Sequence, residues 1–519
     1  MSGIGQSSHI AIAVHIGWGH ARPLCALAAR VVKLRGASVT FLTVGSMYDQ
    51  TVKEVSRNFV NGEDALRARI RVVCLPSHPT DRLDRQVVGQ GFEKQFKRLL
   101  AGEPVSCTKA ANLPALPAPS ALVLDMCGYQ LFEIARALSP TLKVVVSTPS
   151  SLLSVVGMTG PYKRDGQREV HAQIESLMEE TGKPLADAAT EVFTAPDDEV
   201  LNVPGLPPMY AYESHPQERI FKLPSNGQVH LDILNLVYEC DAVFSCSTEA
   251  LEPPETVQAF TEFLALNSRK LYFLGPLAPE MDDEANVEEK EIEKTPDIAN
   301  FMQNVLQTYG ERSLVYISFG TKWWTTKPEQ VWTFLDILIE KHIPFVMAQA
   351  SPFCSLPEEV EAKVKASGTG LITRWAPQQA ILEHPATGWF LTHGGFNSVV
   401  ESVYAGVPMI CWPFSADQPL NAVHLSENLD IAYELHEVRT GERGLKPLRR
   451  TGKAPAGTPE ALRAEIHAVL EKAFGDDGAQ KRRNVHKLRQ GMLTLWKDGG
   501  EARLASEQLL DDAAVCVSR

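Results

Sequence analysis

Residues 392–418 read THGGFNSVVESVYAGVPMICWPFSADQ. A histidine, two glycines, an asparagine and a serine precede a run with helical spacing. Asp417 and Gln418 follow after a Gly-Val-Pro. A helix start carries unpaired N–H groups and roughly half a positive charge, and glycines let a ligand approach the backbone. The chemistry on offer is anion binding, with phosphate the usual occupant. Ser398 and Glu401 also fit a capping box, in which the two side chains satisfy the helix end by themselves. Trp375, in WAPQQAILEHP, follows a strand pattern and precedes Pro377. It fits a core position or a stacking platform.

The elements that must position this corner are legible on both sides of it. WFLT reads as a strand, HGGFN as the turn and SVVESVYAG as the helix. SLVYISFGT, IPFVMAQA, TGLITRW and VPMICWP are further short apolar strands in the same half. In the other half HIAIAVHI is a continuous apolar run, as a strand buried on both faces would be. HARPLCALAARVVKLRG follows with helical spacing: Leu24, Leu27, Ala28, Val31 and Leu34 share a face. Pro23 suits the first helical turn and Gly36 the position past the end. SVTFLTV is the next strand, and ALVLD and LKVVVSTPS follow later. Strand–helix–strand units imply parallel sheets. The fold class expected is α/β, with two doubly wound, Rossmann-like domains facing a cleft and ligands at the carboxyl ends of the strands.

Residues 1–278 are expected to form the first domain and 297–490 the second. The acidic stretch at 279–296 between them reads as a linker. Residues 491–519 read as a terminal helix packing back on the first domain. RTGERGLKPLRRTGKAPAGTPE, residues 439–460, is a basic Pro/Gly loop expected to be a solvated insertion.

The chain has 519 residues, a net charge of −13, 44% hydrophobic and 22% charged residues. Those fractions suit an ordinary globular protein, and the acidic balance argues against nucleic acid or anionic membranes as partners. Nine scattered cysteines with no C-x-x-C pair point to free thiols in a reducing compartment. The run Ile10–Ile16 is too short for a signal-peptide core or a membrane span. The expected location is the cytoplasm.

Taken together, W-A-P-Q, H-P, G-W-F-L-T-H-G-G-F-N-S, Glu401, G-V-P and D-Q across residues 375–418 resemble the nucleotide-sugar box of the family 1 UDP-glycosyltransferases. In looser form the resemblance extends over most of the chain. It implies the GT-B architecture of two Rossmann-like domains. It also implies roles. Trp375 would stack on uracil and the Ala376 backbone would read its edge. Gln378 and Glu401 would hold the ribose hydroxyls. His393, Gly395, Asn397 and Ser398 would surround the diphosphate, with Thr321 adding a contact. Asp417 and Gln418 would bind the sugar hydroxyls. Plant members usually carry Cys and Trp where this chain has Gly395 and Phe396, so HGG is closer to the animal members. The Asp-Gln pair resembles the glucose-using pattern.

Transfer from UDP needs an activated acceptor, so a base should sit in the first half. GWGHARPL offers His20 at the end of the first strand, where a helix start favours the neutral form a base requires. A histidine that merely caps the helix fits the same position. His9 and His15 lie before or within the strand. The family carries its catalytic base in G-H-x-x-P-L, and an aspartate behind it at the position of Asp125 in ALVLDMCG. The resemblance thus implies inverting sugar transfer, most simply of glucose, to a hydroxyl of a lipophilic small molecule. The chain has no D-x-D triplet, so no metal and no cofactor are expected. Trp18 and the loops around residues 80–95 and 150–165 are expected to wall the acceptor pocket. A silent UDP-sugar-binding partner subunit and a sugar-nucleotide epimerase are the competing readings.

Overall fold

The computed structural model describes residues 8–513, apart from residues 16, 76–84, 111, 160–166, 195–197, 221–225 and 278–294. The expected linker therefore lies almost wholly outside the described residues, as do parts of both expected acceptor loops.

The first half builds one parallel sheet from β1 (His9–Val14), β2 (Ser38–Val44), β3 (Ile70–Leu75), β4 (Ala121–Asp125), β5 (Lys143–Thr148), β8 (Ala242–Ser245) and β9 (Leu271–Phe273), in the order β3-β2-β1-β4-β5-β8-β9. A small antiparallel pair, β6 (Val200–Leu201) and β7 (Met209–Tyr210), stands apart. The second half builds a six-stranded parallel sheet from β10 (Leu314–Ser318), β11 (Phe345–Ala348), β12 (Gly370–Thr373), β13 (Thr387–Thr392), β14 (Met409–Cys411) and β15 (Ala432–Glu434), in the order β12-β11-β10-β13-β14-β15. Every residue of β1, β4, β10 and β13 is buried, which is why these strands read as unbroken apolar runs.

In both sheets the chain reverses its direction of progress at one point, between β1 and β4 and between β10 and β13. Ligands of open parallel sheets bind outside the carboxyl ends at such a switch point. His20 follows β1 and Asp125 ends β4, and these strands pair in register from Ile10↔Ala121 to Ala13↔Leu124. Thr321 follows β10 and His393 follows β13, which pair through Ser318↔Thr392. Each sheet thus delivers its polar residues to the same cleft.

Helix α1 (Trp18–Arg35) starts earlier than the sequence suggests, so Pro23 stands in its second turn. A proline there has no N–H for the carbonyl four residues back, which is that of Gly19. Asn397 from the other domain supplies the missing donor: its Nδ2 donates to Gly19 O at 2.8 Å. The helix Glu501–Asp512 lies against β9. Its Leu509 and Leu510 join the first domain's core, and Arg35 donates to Glu507 O at 2.8 Å.

The basic 439–460 segment is not simply solvated. Arg439 is 2% exposed and pairs with Glu434 at 3.0 Å, and Arg450 pairs with the same carboxylate at 2.6 Å. Burial works against the charge on Glu434, but His436 and the two guanidiniums hold its carboxyl well below the usual range. The segment also grips the first domain: Tyr212 donates to Pro447 O, and Arg449 N donates to Glu213 Oε1. It is a strap between domains, because acids elsewhere in the fold neutralise what looks in sequence like an exposed basic run.

Candidate active site

On the first domain, His20 sits in the first turn of α1, with its side chain 29% exposed to the cleft, and Asp125 is buried. His20 Nδ1 and Asp125 Oδ2 are 2.8 Å apart. Asp125 Oδ1 accepts the backbone N–H of Cys127 at 3.0 Å, so both carboxylate oxygens are held. An acceptor at Nδ1 selects the tautomer that carries its proton there and leaves Nε2 with a free lone pair. His9 is buried and His15 half-buried, and desolvation lowers both to about 4. His9 bonds to Pro117 O and Thr40. Those bonds occupy both ring nitrogens of His9.

On the second domain, helix α2 (Phe396–Ala405) starts with Gly395 at its cap. The capping box of Ser398 and Glu401 does not form, because Ser398 already stands at the third helical position. Asp417 caps the helix instead: its Oδ2 accepts Phe396 N at 3.0 Å and Asn421 Nδ2 at 2.9 Å. Burial raises its pKa. Gln418 is 1% exposed, and its Oε1 accepts Phe414 N at 2.9 Å and Ser415 N at 3.2 Å. The Asp-Gln pair therefore shapes the corner from within.

His393 is buried, and burial lowers it to about 4 against the opposing pull of a bond to the Ser318 carbonyl. Its imidazole is neutral at neutral pH. A methyl group on Gly395 would stand 2.5 Å from His393 Nε2, and one on Gly320 would stand 3.0 Å from His393 Cε1. The second glycine of HGG leaves room for this ring.

Glu401, freed from the capping box, accepts Gln378 Nε2 at 2.5 Å, and Gln378 also reaches Ser398 Oγ at 3.3 Å. Arg22 of α1 binds the other oxygen of Glu401, and it donates to Glu54 at 3.0 Å and Gln379 at 2.9 Å. Trp375 is 52% exposed just past the end of β12, so it is not a core residue. Ala376 lies beside it, and Thr321 is exposed in the loop after β10. A methyl group on Gly17 would lie 3.3 Å from Lys322 Nζ and 3.6 Å from His20 Cδ2. The Lys322 ammonium therefore reaches across the cleft to the side of His20.

The family model for UDP-glucoronosyl and UDP-glucosyl transferases matches residues 239–438. The UDP-glycosyltransferase eriJ of Hericium erinaceus is 30% identical over 527 residues, covering 98% of this chain and 99% of that protein. The chain belongs to the UDP-glycosyltransferases. It is an enzyme that uses a UDP-sugar as donor.

UDP-glycosyltransferase 72B1 of Arabidopsis thaliana is 26% identical over 524 residues, covering 96% of this chain and 95% of that one. A transferase from Siraitia grosvenorii, solved in complex with UDP, superposes with a TM-score of 0.68 at 19% identity, over 98% of this chain and all of that one. The fold is GT-B. In this UDP-glycosyltransferase the cleft brings His20 and Asp125 together from the first sheet, and it gathers Trp375, Gln378, His393, Asn397, Ser398 and Glu401 from the second. Sequence reasoning passed over Arg22, Lys322 and Asn421. Only Arg22 left a local signal, a cation beside Pro23 on the face of a helix that meets the cleft.

Proposed function

We propose that this enzyme transfers glucose from UDP-glucose to a hydroxyl of a lipophilic small molecule, with inversion at the anomeric carbon. The observation that carries the reading is the 2.8 Å bond between His20 Nδ1 and buried Asp125. His20 Nε2 takes the acceptor proton as the oxygen attacks the anomeric carbon opposite UDP. Asp125 stabilises the imidazolium that results. The α2 helix start and Lys322 take up charge on departing UDP. His393, neutral and buried, lines the diphosphate without supplying charge. Gln378 and Glu401 hold the ribose, Trp375 stacks on uracil, Ala376 and Thr321 offer flanking contacts, and Gln418 and Asp417 frame the sugar.

Incubation with UDP-glucose and a panel of hydroxylated hydrophobic compounds should give mass gains of one hexose, with β-linked products by proton NMR. UDP-glucuronate and UDP-galactose run in parallel should be poorer donors. A product with retained configuration would sink the single-displacement reading. Epimer formed from UDP-glucose alone would favour an epimerase, but the intact His20–Asp125 pair speaks for transfer, and against a silent partner subunit.

No metal or cofactor is assigned to the reaction, because helix dipole and lysine can serve the diphosphate. Turnover in excess EDTA should equal or exceed that in untreated enzyme; collapse with rescue by manganese would refute this. Trp375→Ala should weaken UDP binding by roughly 1–3 kcal/mol, the usual worth of base stacking, as read by calorimetry. Unchanged affinity would remove the stacking role. The eight described cysteines are all free thiols, which supports a cytoplasmic enzyme. No described helix is long and apolar enough to cross a membrane.

A further inference from the structure

Behind the proposed base lies a third ligand type. His20, Asp125 and Cys127 bring an imidazole nitrogen, a carboxylate oxygen and a thiol sulfur to within 4.8 Å of one another. The backbone forces this meeting: β4 ends at Asp125, and the turn after it carries the Cys127 N–H back to Asp125 Oδ1. Cys127 takes no part in the transfer reaction proposed above.

We infer that His20, Asp125 and Cys127 form an inhibitory site for a thiophilic divalent cation, of which Zn²⁺ is the fitting case. The inference rests on the proposed role of His20 only for its effect on turnover. One sulfur, one nitrogen and one carboxylate oxygen, with the cleft side open, are a ligand set that Zn²⁺ takes readily. The balance is simple. The thiol loses its proton to solvent and the sulfur binds the ion. Two anionic ligands then match the two charges of the cation. Burial and the Asp125 charge hold the free thiol protonated, with Lys322 pulling the other way, so binding requires the ion itself to displace that proton.

The consequence for turnover follows from the tautomer. With Asp125 as its acceptor, Nδ1 carries the imidazole proton and Nε2 is the base. An ion on Nδ1 moves that proton to Nε2. The ring then faces the acceptor hydroxyl with an N–H and cannot take its proton. Zinc should therefore lower kcat while leaving UDP binding, on the other domain, unchanged.

The test uses full-length enzyme dialysed against chelator and then titrated with ZnCl₂ or CoCl₂ alone. Wild type should lose turnover at micromolar Zn²⁺ and regain it in EDTA. It should release one proton per ion in calorimetry across buffers of different ionisation enthalpy, and show a thiolate-to-Co²⁺ charge-transfer band in the near ultraviolet. Cys127→Ala should keep wild-type turnover without metal, lose the band, and need at least about ten-fold more Zn²⁺ for half inhibition, the low end of what a lost contact costs a metal site. Cys127→Ser, closer in size, serves if the alanine variant is unstable. Equal inhibition of wild type and variant, absence of the cobalt band, or a parallel loss of UDP affinity would each overturn the site. The cobalt band and proton count do not require turnover. A protein that shows them but glycosylates nothing keeps the site and loses the proposed reaction; one that glycosylates but shows neither does the reverse.

Discussion

His20→Ala should lower turnover by about 10²–10⁴-fold, the usual contribution of a positioned base, while UDP binds with nearly wild-type affinity. The expectation follows from where the residue stands. His20 belongs to the first domain, while the candidate uracil, ribose and diphosphate contacts come chiefly from the second. The alanine variant loses the proton acceptor and leaves the nucleotide pocket as it was. Asp125→Asn should follow it closely. Asparagine can keep the contact to His20 through either its oxygen or its NH₂, and the second choice leaves Nε2 carrying the proton. The charge that steadies the imidazolium is lost either way. Rapid-quench measurement of the first turnover, beside calorimetry with UDP, separates the outcomes. If His20→Ala weakens UDP and turnover together, the histidine is a structural part of the closed cleft and the base must be sought elsewhere.

What the sequence showed and what it hid divide along a physical line. Buried parallel strands announce themselves because both faces are apolar, so HIAIAVHI and TGWFLTH were legible at once. The strands β9, LYF, and β15, AYE, have three residues each and half-buried positions, too little pattern to register. The nucleotide-sugar box was legible because about a dozen residue types recur at fixed spacing. The use made of each side chain was not. Ser398 and Glu401 satisfy the spacing of a capping box, but the helix begins at Phe396 and takes Asp417 as its cap. That choice depends on a loop arriving from beyond β14. Composition equally could not show that Arg439 and Arg450 would share Glu434, because a charge run says nothing of its partners. Asp125 was assigned a role only by resemblance; its place behind His20 needs the pairing of β1 with β4, over a hundred residues apart in sequence.

The same limit hid the contact between domains, where the other large effect is expected. Arg22→Ala should cost about 3–5 kcal/mol of stability, the usual cost of breaking a buried ion pair by removing one partner. Arg22 has 22% of its side chain exposed, against 6% for Glu54 and 7% for Glu401. Its removal leaves buried Glu401 with only the neutral Gln378 as a partner among the described residues, and Glu54 with Arg57 at 3.1 Å. The loss should also reach the donor. A carboxylate offers about four lone-pair positions, and Arg22 and Gln378 occupy one on each oxygen of Glu401. Two remain for the vicinal hydroxyls of a ribose. In the proposed reaction Arg22 would aim Glu401 at the ribose without competing for it, and would tie donor binding to the domain that carries His20. The variant should show a raised KM for UDP-glucose and weaker UDP binding, beside its lower thermal midpoint. Arg22→Lys should recover part of the stability but little of the donor affinity, because one ammonium cannot span Glu54, Glu401 and Gln379 as the planar guanidinium does. Tighter UDP binding in Arg22→Ala would mean the opposite arrangement, in which the guanidinium blocks the ribose until the domains part.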